Sequence, residues 1–359
     1  MKTVPLVLAG GKGERFWPLS RASLPKQLLP LTSSKTMIEE TLARVKSVSS
    51  AGVKPLVITG RECAAGIRRS LGRRFAYDCI VEPMGKNTAP AVGLAAAWMR
   101  NRHGDAVMLV VSADHAIAPI NSYVKAVRAA VIMAQATDSL IVFGIRPTRP
   151  DVGYGYINIG KTISGNDGVP CYAVRRFVEK PTLPVAKRYV TSGKYLWNSG
   201  MFVWKASVVL DEFKRHMPRL YEQIITAENA GFSRRSLETF YGNCVKESID
   251  YGIMEKSSRI AAVCGTFFWD DIGSWEAMTR VHKKNRNGTV AVGPGIFESG
   301  STGSIIYNSS NRAVASIGLD NTVLVVTPDA VCAIARPLLP DLKKYLGLMK
   351  EKGFPEELF

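Results

Sequence analysis

The chain is expected to fold as an α/β protein. A Rossmann-like, mixed but mainly parallel sheet carries helices on both faces, and a small C-terminal β segment and a terminal helix follow. Three observations lead there. Short apolar runs alternate with helical patterns through the first half of the 359 residues, the pattern of strands joined by crossover helices. A glycine-rich stretch follows the first apolar run directly, and in such sheets ligands gather beyond the carboxyl ends of the strands. After about Asn287, Gly288, Gly293, Gly295, Gly300, Gly303 and Gly318 punctuate short apolar pieces.

Taken in order, strands are expected at Val4–Leu8, Pro55–Thr59, Cys79–Val81, Ala106–Ser112 and Leu140–Gly144. Helices are expected between them at Thr36–Val48, Glu62–Leu71, Thr88–Arg102 and Ser122–Ala136. From Gly153 the stretches "GYGYINIG", "CYAVRRFVEKP" and "YLWNSGMFVW" are rich in aromatic and β-branched residues and predict strands. Helices then follow at Pro184–Thr191, Ser207–His216, Leu220–Ala227, Ser248–Lys256 and Ser274–Val281. Phe267, Phe268 and Trp269 read as core ahead of a loop. Thr289–Ala335 reads as small strands joined by turns, a short β-solenoid or minor sheet, before a last helix at Asp341–Lys352. The division expected is residues 1–286 as the main domain and 287–359 as a small β-rich one.

Apolar residues make up 46% and charged residues 21%, which excludes global disorder. The net charge of +17 points to anionic partners. Basic residues occur in short groups such as Arg68–Arg69 and Lys343–Lys344 and form no long run, so nucleic acid is not expected as a partner. Six scattered cysteines form no metal or disulfide pattern and suit a reduced compartment. No apolar run approaches the roughly 20 residues of a membrane helix, and no signal peptide is recognisable, so a cytoplasmic location without membrane contact is expected.

The stretch "LAGGKGERFWPLSRASLPKQLLPL" begins at Leu8. Gly10, Gly11 and Gly13 bare the backbone, while Lys12, Arg15, Arg21 and Lys26 bring positive charge. Backbone N–H groups and cations together suit a polyphosphate. The Walker spacing is absent, and so is a clean dinucleotide fingerprint. Ser112–His115, "SADH", places Asp114 just past a strand end, where a turn or cap is the ordinary reading. Asp270 and Asp271 precede a helix and are equally suited to capping. Thr88 and Pro90 suit a helix start.

The opening stretch is similar to the signature of sugar-nucleotide pyrophosphorylases. "EPMGKNTAPAVGLAA", "VVSADHAI", "VFGIRPTRPDVGYGYI", "RRFVEKP", "WNSGMFVW", "SIDYGIMEK" and "WDDIGSW" follow it in the order found in the mannose-1-phosphate guanylyltransferase (GDP-mannose pyrophosphorylase) family, over about residues 4–285. The resemblance implies the nucleotide-diphospho-sugar transferase (GT-A-like) fold. It implies GTP and mannose 1-phosphate as substrates, and GDP-mannose and pyrophosphate as products. It makes Asp114 and Asp271 ligands of Mg²⁺, with Mn²⁺ as the alternative ion, and gives Asp270 a supporting or capping role. Arg15 and Lys26 would lie over the triphosphate and Lys180 would steer the sugar phosphate. Leu8, Ala9, Gly10, Gly11 and Gly13 would cradle the nucleotide, with Glu82, Pro83, Asn87 and Thr88 at the guanine. Gly153, Gly155, Glu179, Lys180 and Asn198 would form the sugar-phosphate side. His115 is read as structural, and "SIDYGIMEK" as the rim of the site, packing through Ile249, Ile253 and Met254.

The chain leaves no room for the isomerase domain that longer family members carry, so a monofunctional enzyme is expected, and a homodimer through the C-terminal segment is the assembly considered. The alternatives are another nucleotide–sugar pair, such as dTTP or UTP with glucose 1-phosphate, and a non-catalytic relative that binds sugar nucleotide without turnover.

Overall fold

The computed structural model describes residues 1–11, 13–163 and 168–359; Lys12 of the basic loop lies outside them. In chain order the strands are β1 (Thr3–Ala9), β2 (Leu56–Gly60), β3 (Asp78–Glu82), β4 (Val107–Ser112), β5 (Ala116–Ala118), β6 (Leu140–Ile145), β7 (Tyr156–Ile163), β8 (Cys171–Val178), β9 (Tyr195–Lys205), β10 (Ile260–Gly265) and β11 (Phe268–Asp270). The helices are α1 (Met37–Lys46), α2 (Arg61–Leu71), α3 (Thr88–His103), α4 (Ile120–Ala136), α5 (Leu183–Ser192), α6 (Ala206–His216), α7 (Pro218–Asn229), α8 (Arg234–Asn243), α9 (Met278–Val281) and α10 (Leu342–Glu351).

Nine strands form one sheet in the order β3-β2-β1-β4-β9-β6-β10-β8-β7. The expectation of a mainly parallel sheet is corrected here. Pairs β3–β2, β2–β1, β1–β4 and β6–β10 are parallel. Pairs β4–β9, β9–β6, β10–β8, β8–β7 and β7–β9 are antiparallel. The first four strands return through crossover helices and so run parallel. The aromatic-rich strands after Gly153 pair with one another and with β4 in the opposite sense. β1 and β4 are buried on both faces, which is why they read as unbroken apolar runs.

Helices do cover both faces. α3, α6 and α7 pack over one side, with Trp204, Phe213 and Ile224 in the core. α1, α2 and α4 cover the other, with Ile38, Ile67 and Val127. α1 starts at a capping box, in which the Thr36 hydroxyl accepts from the Glu39 amide and Glu39 accepts from the Thr36 amide. Most predicted elements lie within a few residues of their expected bounds. α8, β5 and β10 were not anticipated, and Phe268, expected in the core, is 43% exposed. Ser248–Lys256 is not a helix of several turns. It is a single wide turn, Asp250–Met254, in which the Glu255 amide reaches back to the Asp250 carbonyl.

Beyond the sheet lie β12 (Val290–Val292), β13 (Ile296–Ser299), β14 (Ile305–Asn308), β15 (Val314–Ile317), β16 (Thr322–Val326) and β17 (Val331–Ala335). β12, β14 and β16 form one parallel ladder, closed by antiparallel β17, and β13 and β15 form a second. Ile305, Tyr307, Val323 and Val325 share one apolar cluster with Phe16, Leu29, Ile272 and Trp275. The C-terminal segment therefore packs directly behind the glycine-rich loop and the "WDDIGSW" turn.

Candidate active site

The parallel register sets the ends of β1, β4 and β3 on one edge. Leu8 lies opposite Ser112, and Glu82 opposite Gly60 at the end of β2. The glycine-rich loop leaves β1 here. Its backbone is pinned from below, because the Gln27 amide and the Thr59 hydroxyl both donate to the Ala9 carbonyl, at 3.0 and 2.9 Å. Gly13 has φ +64°, and a Cβ there would stand 2.6 Å from the Lys26 Cβ. No other residue lets the loop lie against Lys26 in this way. Arg21 does not serve the loop as its charge suggested. Its guanidinium is turned towards Asp329 in the C-terminal segment, 3.1 Å away.

Lys26 organises the centre. Its side chain is buried, and its Nζ donates to Asp114 Oδ2 at 2.8 Å and to the Asp271 carbonyl. Asp114 also accepts from the Ser112 hydroxyl at 2.6 Å. Burial opposes ionisation of Asp114, but the Lys26 ammonium outweighs it and draws the carboxyl down to about 2. The two aspartates, far apart in the chain, are brought together by a ribbon in which β5 pairs antiparallel with β11 and Ala116 faces Asp270.

Asp270 has the supporting role expected of it. It is buried, paired with Arg280, and its Oδ1 accepts from the Ile272 amide at 2.8 Å. That bond sits beside Ile272 at φ +44°, a costly conformation for a β-branched residue, in the turn that carries Asp271. His115 is structural, as expected. Its Nδ1 accepts from Trp269 Nε1 at 3.2 Å, and burial lowers its pKa.

Tyr154 was missed by sequence reasoning. Its hydroxyl donates to Asp271 Oδ1 at 2.7 Å, and burial together with that carboxylate raises its pKa. Arg149 lies over the Trp197 ring and within 3.3 Å of the Tyr154 hydroxyl. The signal was the aromatic between the two glycines of "GYGY", which drew attention to themselves.

Asn198, Glu179 and Lys180 form a second corner. β9 runs antiparallel to β4, which returns "WNSG" to the same edge, and the Asn198 amide N–H bonds the Gly155 carbonyl at 2.8 Å. A Cβ on Gly155 would stand 2.3 Å from Glu179 Oε2, so this glycine admits the carboxylate. Glu179 pairs with Lys180 at 3.0 Å, and its Oε2 is buried with no hydrogen-bond partner among the described residues. Gly153 has its amide on Asp151 Oδ1 at 2.9 Å.

The wide turn supplies Asp250, also unanticipated, whose Oδ1 accepts from Asn198 Nδ2 at 2.9 Å. Burial, and then the nearby Glu179, push its carboxyl up to about 7. The folded protein thus keeps a proton that the unfolded chain has lost, and stability falls as pH rises from roughly 4 towards 7. Asp250→Asn is expected to raise Tm above pH 7 and to leave it unchanged below about pH 4. Melting curves across that range check this, and an equal gap at both ends would remove the buried charge as its cause.

At the third corner Glu82 is buried facing Gly10, and burial raises its carboxyl to about 7. Pro83 follows it out of β3. Asn87 has φ +67° and accepts from the Thr88 amide at 2.9 Å, while the Thr88 hydroxyl accepts from the Ile249 amide. The start of α3 is thereby tied to the segment carrying Asp250. Arg15 is exposed beside the loop and shares a cleft with Gly13, Lys26 and Gly273. No helix among the described residues is long and apolar enough to cross a membrane.

The family described as nucleotidyl transferase matches residues 4–288. The mannose-1-phosphate guanylyltransferase of Escherichia coli K12 is 36% identical over 361 residues, covering 98% of this chain and 74% of that protein. That of Klebsiella pneumoniae is 37% identical over 355 residues, covering 97% and 74%. The crystal structure of the mannose-1-phosphate geranyltransferase of Thermus thermophilus superposes with a TM-score of 0.87 at 33% identity, covering 98% of this chain and all of that one. With its loop, its paired aspartates and a likeness running nearly end to end, the chain belongs to the mannose-1-phosphate guanylyltransferase family of nucleotidyl transferases.

Proposed function

We propose that the protein transfers the guanylyl group of GTP to mannose 1-phosphate, releasing pyrophosphate and forming GDP-mannose. One observation carries the reading: the Lys26 ammonium joins Asp114 to the Asp271 carbonyl beside the glycine-rich loop, at the sheet edge to which β9 returns Asn198.

The attacking phosphate monoester is largely dianionic at neutral pH, its second pKa being about 6, so no general base is required. The obstacle is repulsion between two anions and charge growing on the leaving pyrophosphate, which positioning and electrostatics can relieve. The bared backbone at Gly10, Gly11 and Gly13 receives the phosphates, with Arg15 and Lys26 above them. Lys180 draws in the sugar phosphate, while Glu179 and Asn198 suit sugar hydroxyls. Glu82 and the Asn87–Thr88 turn border the place left for the base.

The residues present fit Mg²⁺ or Mn²⁺. Lys26 is held where the two aspartates converge, so the place gathers positive charge. Mg²⁺ takes one or two protein carboxylates with substrate oxygens and water, and Asp114 and Asp271 are two carboxylates of that kind. Asp114 and Asp271 would hold it, and a bound ion would supply charge neutralisation at the phosphates.

Residues 1–286 would form the catalytic unit and 287–359 a small β-rich domain with a terminal helix. Phe297 and Ile317, 60% and 71% exposed on the paired strands β13 and β15, suit contact with a second copy.

Pyrophosphate release from the four nucleoside triphosphates, each with mannose 1-phosphate and glucose 1-phosphate, tests the function. GTP with mannose 1-phosphate is expected to give the highest kcat/KM. A higher value for dTTP or UTP with glucose 1-phosphate would reassign the substrates, and no release with any pair would make the protein a binder without turnover.

A further inference from the structure

Glu14 is an odd residue for a polyphosphate loop, since its carboxylate would repel the ligand that the surrounding glycines and cations invite. The structure answers it from the other end of the chain. Lys343 Nζ lies 3.0 Å from Glu14 Oε2. Lys343 is the second residue of α10, whose position is set by Leu342 and Leu346, buried in the same cluster as Phe16, Trp17 and Trp275. That anchoring holds Lys343 over the loop, where it lines a cleft of about 390 Å³ together with Gly13, Arg15, Lys26 and Gly273.

We infer that Lys343 is a substrate-binding residue that grips the β- and γ-phosphates of the nucleotide and the pyrophosphate that leaves, so that the C-terminal helix forms one wall of the active site. This rests on the reading of the protein as a nucleotidyltransferase. The Lys343 side chain is 79% exposed and that of Glu14 41% exposed, and an ion pair open to water holds its partners weakly. A triphosphate carries several times the charge of one carboxylate, and the long lysine stem lets the ammonium follow it. The cleft lies on the side of Arg15 and Gly273, and none of the residues lining it belongs to the Glu179–Asn198 corner. Lys343 should therefore act on the polyphosphate end and leave the sugar end alone.

Lys343→Met is expected to raise KM for GTP in the forward direction and for pyrophosphate in the reverse direction by about 5- to 20-fold, the scale of one exposed charge-assisted contact to phosphate. KM for mannose 1-phosphate and GDP-mannose should change less than about twofold, and Lys343→Arg should restore most of the loss. Lys344→Met is the control, being exposed on the next position and absent from the cleft. Combining Lys343→Met with Glu14→Gln separates contact from mere neutralisation. A defect that persists without the Glu14 charge supports the inference. A defect that disappears, a Lys343→Met enzyme indistinguishable from Lys344→Met, or an equal loss for every substrate would overturn it. Calorimetric binding of pyrophosphate to wild type and Lys343→Met reads the same contact without turnover. A wild type that binds pyrophosphate through Lys343 but never forms GDP-mannose would defeat the functional reading and spare this one.

Discussion

Lys26→Ala is expected to lower kcat by at least about 100-fold, the scale of losing one preorganised donor at a site of developing charge. The size follows from where the ammonium sits. It is buried between the Asp114 carboxylate and the Asp271 carbonyl, where water cannot replace it. Alanine leaves Asp114 without its main counter-charge. The Lys26 ammonium holds the Asp114 carboxyl down at about 2, so its pairing contributes stability that is present above roughly pH 4 and lost as pH falls through the folded value. The Tm gap between wild type and Lys26→Ala should accordingly be widest near neutrality and close in acid. Steady-state kinetics with melts from pH 3 to 8 check both halves. A near-normal kcat would take Lys26 out of the mechanism, whatever the melts show.

The second large effect concerns Asp271. Asp271→Asn should cut activity at saturating Mg²⁺ by at least about 100-fold, comparable to removing a key electrostatic group from a preorganised site. The fold should remain, because asparagine keeps the Oδ1 acceptor for the Tyr154 hydroxyl and the backbone carbonyl that Lys26 uses. The measurement is a Mg²⁺ titration of rate alongside circular dichroism and Tm. If the variant responds to Mg²⁺ as the wild type does, Asp271 belongs with the capping residues.

Much of this site was legible in the primary structure because its parts are local. The loop after β1 announces itself by closely spaced glycines, of which Gly13 leaves no space for a side chain, and by cations spaced along a few residues. The β-strand and helix order follows from apolar periodicity. The strand directions after Gly153 were not legible. Alternation tells which face of a strand is buried, but a reversed strand carries the same alternation, so the sheet was taken as more parallel than it is. Tyr154 and Asp250 were overlooked for a related reason. Each acquires its chemistry from one partner distant in sequence, Asp271 and Asn198 respectively.

Residue order alone settled the class of fold and drew attention to the glycine-rich loop and its basic residues, since these depend on short-range pattern and on side-chain type. What waited for folding was adjacency. Lys26 becomes the shared partner of two aspartate residues, and Lys343 reaches the loop, only after the β5–β11 ribbon and the buried face of α10 have spent apolar burial energy to bring those segments together. Electrostatic effects between exposed charges fall off over about 10 Å in salt, so they are fixed by such contacts and cannot be read from positions along a chain.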